Sequence, residues 1–159
     1  MADLFAVCGE LPAVEVEPGA VVVREGDDGG GIWILEHGAL QVRKGGTLVN
    51  TIDQPGAIIG EVSVLLGTPS GATVEAMEPS RLRYAASGAA FLDNPEVLRL
   101  IAAGLAERLN YVTAYLADLK QQYGDAPGLL MIDAVLNRLA LRQSIPVRGG
   151  SARDPDPEY

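Results

Sequence analysis

Residues 55–76 read PGAIIGEVSVLLGTPSGATVEA, and this stretch decides how the rest of the chain is interpreted. Pro55-Gly56 is a turn signal, and TVEA at its end favours a β-strand. Between them, the apolar run GEVSVLL is compatible with a strand or with about two turns of helix, because periodicity does not separate the two in so short a run. The stretch therefore predicts an interruption inside a β-rich region.

Short β-favouring runs surround this stretch from residue 14 to residue 84. Turn signals separate them about every ten residues. These signals are Pro18-Gly19, Gly26-Asp27-Asp28, Gly45-Gly46 and Pro55-Gly56. Because helical crossovers do not fit into such short intervals, we expect an antiparallel β-sandwich or barrel.

The pattern changes to helix at Pro95, with Asp93 or Asn94 as the cap. A seam of apolar residues follows at helical spacing: Ile101, Leu105, Leu109, Val112, Leu116, Leu119 and Tyr123. A helix of about 28 residues is roughly 42 Å long, which is more than one side of so small a domain covers. We therefore predict that the part of the seam from Leu105 to Tyr123 packs against a second copy, giving a homodimer.

A second amphipathic segment, LLMIDAVLNRLALR at residues 129–142, follows the helix breakers after residue 123. The remaining tail is rich in Pro, Gly and charge, and we expect it to be disordered at its end. The predicted division is a domain at residues 1–123 that includes the long helix, then a short helix and tail at residues 124–159. Too few residues follow Arg142 for a helix-turn-helix module.

Composition narrows the class of protein. The 159 residues, 48% hydrophobic and 21% charged, suit one compact domain. A net charge of −9 without a basic stripe speaks against a nucleic-acid partner. With no run long enough for a membrane span, no export signal and a single Cys8, we expect a cytoplasmic location away from the membrane.

Two stretches resemble the cyclic nucleotide-binding domain family, which includes catabolite activators and protein kinase A regulatory subunits. Residues 18–42, PGAVVVREGDDGGGIWILEHGALQV, carry PG, a GD-containing turn and an apolar-aromatic strand ending in Gly in the family's order. Residues 55–76 are similar to the family's phosphate-binding cassette, approximately FGELALL-x-G-x-PR-[AST]-A-[TS]-V. With the long helix, the resemblance covers about residues 10–123.

The resemblance implies a mainly β fold with C-terminal helices: an antiparallel, jelly-roll-like β-roll with an inserted cassette helix. It implies cyclic AMP or cyclic GMP as ligand, bound by Gly60, Glu61, Val62, Ser70, Gly71, Ala72 and Thr73. A helix that begins at Gly60-Glu61 aims backbone N–H groups at the phosphate. In the family, the glutamate that corresponds to Glu61 accepts a hydrogen bond from the ribose 2′-hydroxyl, and a carboxylate there also suits the helix dipole.

The sequence departs from the family at Ser70, where the family has the arginine that pairs with the cyclic phosphate. Loss of a charge-assisted hydrogen bond weakens binding by about ten- to a hundredfold. Three outcomes stay open: another arginine compensates, the ligand binds weakly through backbone amides and Glu61, or the pocket takes another ligand or none. The arginines considered for compensation are Arg24, Arg43, Arg81 and Arg83. With Gly71 at the next position, the sequence does not indicate whether the site prefers cyclic AMP or cyclic GMP.

Other chemistry-bearing residues do not form a site in this sequence. His37 is the only histidine and is interpreted as an exposed turn residue. Asp27-Asp28 with the three glycines that follow lacks the acid spacing of a calcium loop and is interpreted as a flexible turn, and Trp33 is interpreted as core. We therefore expect no catalytic residue, no metal and no cofactor beyond the nucleotide ligand.

These observations favour a non-enzymatic regulatory module whose pocket state moves the C-terminal helices. The alternative is an adaptor of the same fold that has lost its ligand and acts through homodimerisation and a partner protein.

Overall fold

The computed structural model describes residues 4–124 and 130–141. Within these ranges a short helix precedes eight strands, one helix interrupts the strands, and three helices follow them. In chain order the elements are α1 (Leu4–Cys8), β1 (Ala13–Val16), β2 (Val21–Val23), β3 (Ile32–His37), β4 (Leu40–Lys44), β5 (Thr47–Ile52), β6 (Ile58–Ile59), α2 (Glu61–Leu66), β7 (Thr73–Ala76), β8 (Ser80–Ala85), α3 (Gly88–Leu92), α4 (Pro95–Tyr123) and α5 (Leu130–Leu141). The long helix therefore begins where the sequence pattern changes.

The strands form two four-stranded sheets with the orders β1-β8-β3-β6 and β2-β7-β4-β5. Each pairing is antiparallel, as the short intervals between turns predict. Sequential strands β3 and β4 lie in different sheets, so the chain passes between the sheets at the turn around Gly38, whose φ is 104°. The predicted antiparallel β fold with C-terminal helices is confirmed.

The main core lies under β8, the strand that pairs with both β1 and β3. Leu82 is fully buried and pairs with Leu35 of β3, while Arg81 and Arg83 on either side of it are partly exposed. This alternation places the arginines on the opposite face from the core. The buried residues of this core are Leu35, Leu40, Ile59, Val74, Ala76 and Leu82.

A second core joins α1 and α3 to the first sheet. Its buried members are Cys8, Ile32, Ile34 and Ala85, and Phe91 and Leu92 of α3 pack against them. Burial raises the pKa of the Cys8 thiol, although the nearby positive charge of Arg83 opposes this. Cys8 is therefore a packing residue, with little thiolate to act as a nucleophile.

The long helix α4 begins at the cap that the sequence predicts. The Asn94 side-chain oxygen accepts a hydrogen bond from the Glu96 N–H at 2.9 Å, and the Asn94 carbonyl accepts one from the Leu98 N–H at 3.0 Å. Of the two predicted caps, Asn94 is thus confirmed. Val97 and Ile101 form the buried face of the first turns.

The chain divides into two compact units, Met1–Leu105 and Ala106–Tyr159, and the boundary falls inside α4. In the second unit Lys120 of α4 forms an ion pair of 2.5 Å with Asp133 of α5. The predicted helix at 129–142 is observed as Leu130–Leu141, whereas the predicted disordered tail lies outside the described residues. The division into domains at residue 123 stays a prediction. Among the described helices, none combines the length and the apolar character that crossing a membrane requires.

Candidate ligand-binding site

The run GEVSVLL, which the sequence leaves open between strand and helix, begins at a glycine turn and continues as a helix. The strand β6 ends at Ile59, Gly60 has a φ of 95°, and α2 begins at Glu61. A Cβ atom on Gly60 would lie 2.7 Å from the Gly31 carbonyl oxygen. Glycine is therefore required at this position both for the left-handed backbone and for the close approach. Gly67, with a φ of 65°, then ends the helix.

Ser70 of the cassette is hydrogen-bonded to the turn that follows β2. The Ser70 N–H donates to the Asp27 carbonyl at 2.9 Å, and the Ser70 carbonyl accepts from the Gly26 N–H at 2.8 Å. Only 8% of the Ser70 surface is exposed. The backbone of Ser70 is thus satisfied within the fold.

Residues 28–31, which we call the glycine loop, contact both α2 and α3. The Gly88 N–H at the start of α3 donates to the Gly30 carbonyl at 2.6 Å. A Cβ atom on Gly31 would lie 2.4 Å from the Tyr84 ring, and one on Gly29 would lie 3.0 Å from the Ser63 Cβ. A Cβ atom at position 31 therefore requires the Tyr84 ring to move, and one at position 29 requires Ser63 to give by a few tenths of an ångström.

A cavity of about 160 Å³, which we call the cassette cavity, lies between the glycine loop, Gly60 and the strands. The rings of Trp33 and Tyr84 stack in its wall with their centroids 4.0 Å apart. Besides the glycines, the wall contains Val22, Val23, Arg24, Asp27, Asp28, Trp33, Ser70 and Tyr84. The cavity thus combines an aromatic surface, one arginine and two aspartates.

A larger cavity of about 560 Å³ lies on α2 and α3. Its wall includes Ser63 and Val64 of α2, the loop at Thr68-Pro69, and Ser87, the N-cap of α3. Asp28, Gly29 and Gly30 line this cavity as well as the cassette cavity. The glycine loop is therefore a shared wall between the two cavities.

The predicted binding residues are distributed unevenly around this site. Gly60 and Ser70 line the cassette cavity. Glu61 is only 4% exposed, and the Thr73 hydroxyl accepts a hydrogen bond from the Glu25 N–H at 3.0 Å. The other three lie on the same two segments: Val62 and Gly71 are exposed and Ala72 is partly buried. Their assignment to ligand binding stays a prediction.

Two of the arginines considered for compensation lie in a network on the first sheet, which we call the ion-pair cluster. Arg81 and Arg83 each place Nε 2.6 Å from a carboxylate oxygen of Glu36, and Arg81 also contacts Glu15 at 2.6 Å. A further Arg83 N–H donates to the Leu11 carbonyl at 2.8 Å. Chiefly through the hydrogen bond from Arg83, these contacts hold the pKa of Glu36 below its ordinary value.

The other two arginines considered, Arg43 and Arg24, differ in whether their guanidinium groups have partners. Arg43 donates to the Gly46 carbonyl at 3.2 Å and to the Gln41 side chain at 3.3 Å. Arg24 lies in the wall of the cassette cavity. Within residues 4–124 and 130–141 its guanidinium has no ion-pair or hydrogen-bond partner.

Sequence reasoning misses the role of the glycine loop and of the aromatic pair. The pattern predicts a flexible turn for the loop and a core position for Trp33. Trp33 is partly buried and packs against the main core, and in addition it lines the cassette cavity. Nothing in the sequence pattern distinguishes Tyr84, its stacking partner, from other strand residues. The run of three glycines directly before an aromatic strand is the available signal, because such runs mark close backbone approach.

Comparisons with known proteins identify the family and the fold of this chain. The sequence model of the cyclic nucleotide-binding domain family matches residues 13–93. The cAMP-dependent protein kinase type II regulatory subunit of Drosophila melanogaster is 37% identical over 71 residues, 45% of this chain and 18% of that protein. Acetyltransferase Pat of Mycolicibacterium smegmatis is 39% identical over 74 residues, 44% of this chain and 22% of that protein. This chain therefore spans about a fifth of the length of these curated relatives.

Among solved structures, PKAR CBD2 with bound Sp-2Cl-cAMPS superposes with a TM-score of 0.58 at 22% identity. The superposition covers 75% of this chain and 80% of that one, which shows that the two share a fold. The family match extends over just more than half of the 159 residues. This chain therefore belongs to the cyclic nucleotide-binding domain family.

Proposed function

We propose that this chain is a non-enzymatic sensor module that binds a cyclic nucleotide weakly at the cassette and reports its occupancy through the C-terminal helices. The observation that carries the proposal is the strand–Gly60–α2 turn beside an open cavity, with Ser70 where the family has its phosphate-pairing arginine. Family membership supports the ligand class, and the missing arginine supports weak binding.

The ligand is expected to enter the cassette cavity with its cyclic phosphate and ribose first. A cavity of about 150 Å³ accepts a benzene-sized group, so the 160 Å³ of the cassette cavity suits the sugar-phosphate better than the whole nucleotide. In this pose, backbone amides at the start of α2 and the Ser70 hydroxyl face the phosphate, Glu61 faces the ribose, and the base lies at the opening. Val62, Gly71, Ala72 and Thr73 complete the two binding segments.

The glycine loop connects this cavity to the helices. It lines the cassette cavity, and its Gly30 carbonyl accepts the hydrogen bond from Gly88 at the start of α3. A ligand that displaces the loop therefore acts directly on the first residue of α3. Such a signal requires that the ligand have a different affinity for each of the two conformations of the protein, which differ in the position of α3.

The absence of a catalytic role is part of the proposal. The described residues hold no group of three or more His, Cys, Asp or Glu that is arranged for a metal ion. Cys8 is buried, and burial raises the pKa of its thiol. Membership of the cyclic nucleotide-binding domain family supports a binding function.

Titration calorimetry tests the proposed sensor function. The full chain is titrated with cyclic AMP, cyclic GMP and cyclic di-GMP, with the non-cyclic adenosine 5′-monophosphate as the control. Binding of one cyclic nucleotide in the micromolar range is the expected result. No heat from any of the three at millimolar concentration overturns the sensor proposal and favours the adaptor.

The exposed apolar residues of α4 favour a second candidate function, that of an adaptor acting through homodimerisation and a partner protein. In the second unit, Leu109, Val112 and Tyr123 are 52%, 47% and 55% exposed, although they belong to the predicted seam. Leu116 and Leu119 of the same seam are only partly buried. These five residues form the surface of the second unit that we propose for the dimer. Leu105, the remaining member of the predicted dimer seam, belongs to the first unit.

Light scattering on a seam variant tests the dimer. Leu109→Asp with Leu116→Asp places two charges in the seam, so we expect the mass in solution to fall from two chains to one. Ala114→Asp is the matched control, because Ala114 is exposed and lies two positions from both Val112 and Leu116, on another helix face. A wild-type chain that is already a monomer contradicts the dimer.

A further inference from the structure

We propose that Arg24 supplies the positive charge that pairs with the cyclic phosphate, in place of the arginine absent at position 70. This inference rests on the proposed function, since it needs a cyclic phosphodiester with a single negative charge as the ligand. It identifies Arg24 as the residue that determines whether such an anion binds.

The backbone places Arg24 beside the cassette. Arg24 directly follows β2, and its carbonyl accepts the Asp27 N–H at 3.1 Å, which closes a turn. Gly26 and Asp27 of this turn exchange two hydrogen bonds with Ser70, at 2.8 and 2.9 Å. The turn that begins at Arg24 is therefore held against Ser70, and both residues line the same cavity.

Arg24 also differs from the other candidates in that its guanidinium is not engaged with another described residue. Arg81 and Arg83 are bound to Glu36 on the first sheet, and Arg43 donates to its own hairpin. The guanidinium of Arg24 has no partner in the part of the chain that the structure describes. Its donors can therefore bind a phosphate without the loss of an existing ion pair.

The charges around Arg24 explain why its contribution is decisive. Asp27 and Asp28 line the cassette cavity as well, so the wall carries two carboxylates against one guanidinium. An anion that enters the cavity is repelled by both carboxylates, and Arg24 is the cation in the wall that offsets this repulsion. Without Arg24 the cavity disfavours any anion.

The experiment compares cyclic AMP and cyclic GMP binding by titration calorimetry across matched variants. Arg24→Ala is expected to weaken binding by about ten- to a hundredfold, whereas Arg24→Lys keeps most of the affinity because it keeps the charge. Arg43→Ala is the control and is expected to bind like wild type. Ser70→Arg in the Arg24→Ala background restores the affinity, since it returns a guanidinium to the same cavity.

The outcomes separate this inference from the proposed function. Equal affinity of Arg24→Ala and wild type overturns the role of Arg24 and leaves the sensor proposal intact. A loss that neither Arg24→Lys nor the added Ser70→Arg recovers shows that the charge is not the cause, and it also overturns the inference. No binding by the wild-type chain overturns both. The melting temperature of Arg24→Ala is expected to match wild type, because the substitution removes no side-chain hydrogen bond or ion pair to a described residue.

Discussion

The ion-pair cluster and the cassette cavity use arginine in opposite ways. In the cluster, Arg81 and Arg83 bind Glu36 at 2.6 Å, and Arg81 also binds Glu15. In the cavity, Arg24 forms no ion pair with a carboxylate of the described ranges, although two aspartates share the wall with it. A guanidinium that is ion-paired to carboxylates stabilises the sheet, whereas a guanidinium without an ion pair beside a cavity can bind an anionic ligand.

The two regions also differ in what holds them together. The cluster depends on side chains that cross from strand to strand. Around the cavity, backbone approaches backbone: a Cβ atom on Gly60 would meet the Gly31 carbonyl at 2.7 Å, and one on Gly88 would meet the Gly30 carbonyl at 2.8 Å. At positions 60 and 88 the cavity region is therefore sensitive to an added Cβ atom, while the cluster is sensitive to a change of charge.

Gly60→Ala is expected to have the largest effect, because it tests the backbone contact of the cavity region. A left-handed backbone costs a non-glycine residue about 1–2 kcal/mol. The clash of the new Cβ with the Gly31 carbonyl adds about 1–3 kcal/mol to the loss in free energy of unfolding. Urea denaturation measures the sum.

Gly19→Ala is the matched control for this contact. Its φ of 87° is close to the 95° of Gly60, but nothing lies within 4 Å of its Cβ position. We expect it to cost only the backbone term of about 1–2 kcal/mol. Equal losses for the two variants show that the close approach of Gly60 to Gly31 contributes nothing.

Ser70→Arg with Gly71→Ala places a second guanidinium group in the wall of the cassette cavity. A charged donor in the cavity wall is expected to raise the affinity for cyclic AMP by at least about tenfold over wild type. Titration calorimetry measures the gain. Ser70→Gln, a long neutral side chain, is the control and should gain much less. If the double variant gains nothing, the cassette backbone does not have the conformation that binds the family's ligands.

Glu36→Gln tests whether charge holds the ion-pair cluster. The substitution keeps the size of the side chain but removes the charge that Arg81 and Arg83 share. We expect a loss of about 1 kcal/mol in the free energy of unfolding at neutral pH. Glu17→Gln, at an exposed site outside the cluster, is the control and should change little. A loss as small as that of the control contradicts a stabilising role for the cluster.

The same variant predicts a pH dependence. The arginine partners of Glu36 lower its pKa in the folded state. The charge of Glu36 therefore contributes fully to the free energy of unfolding above the ordinary glutamate pKa of about 4.3. That contribution is lost as the pH falls from this value through the lower folded pKa. The difference in melting temperature between wild type and Glu36→Gln should therefore narrow in acid. A difference that grows below about pH 4.3 has the wrong sign for this mechanism.

Asp28→Asn is expected to have the smallest effect. It removes one of the two carboxylates in the wall of the cassette cavity, so repulsion of an anionic ligand decreases. Because Asp28 is exposed and solvent screens its charge, we expect cyclic AMP affinity to rise by only about two- to fivefold. Glu78→Gln, outside the wall, is the control. Weaker binding by Asp28→Asn contradicts the negative character assigned to this cavity.

Much of the fold could be predicted because its signals are local. The turn dipeptides and short β-favouring runs predict antiparallel strands, and Asp93 or Asn94 before Pro95 predicts the start of α4. The run GEVSVLL could not be assigned, because its six helical residues span less than two turns and bury only part of one face. Its helix depends on Gly60 and on the contact of that glycine with the glycine loop.

From residue order alone follow the family, the antiparallel strands, the cassette at residues 55–76 and the lack of an arginine at position 70. Which of the four candidate arginines lines the cavity follows only from the folded chain. Arg83 and Glu36 are 47 positions apart, and Gly26 meets Ser70 across a comparable separation in the chain. Strand register determines such pairings, and register depends on burial of the whole sheet rather than on neighbouring residues.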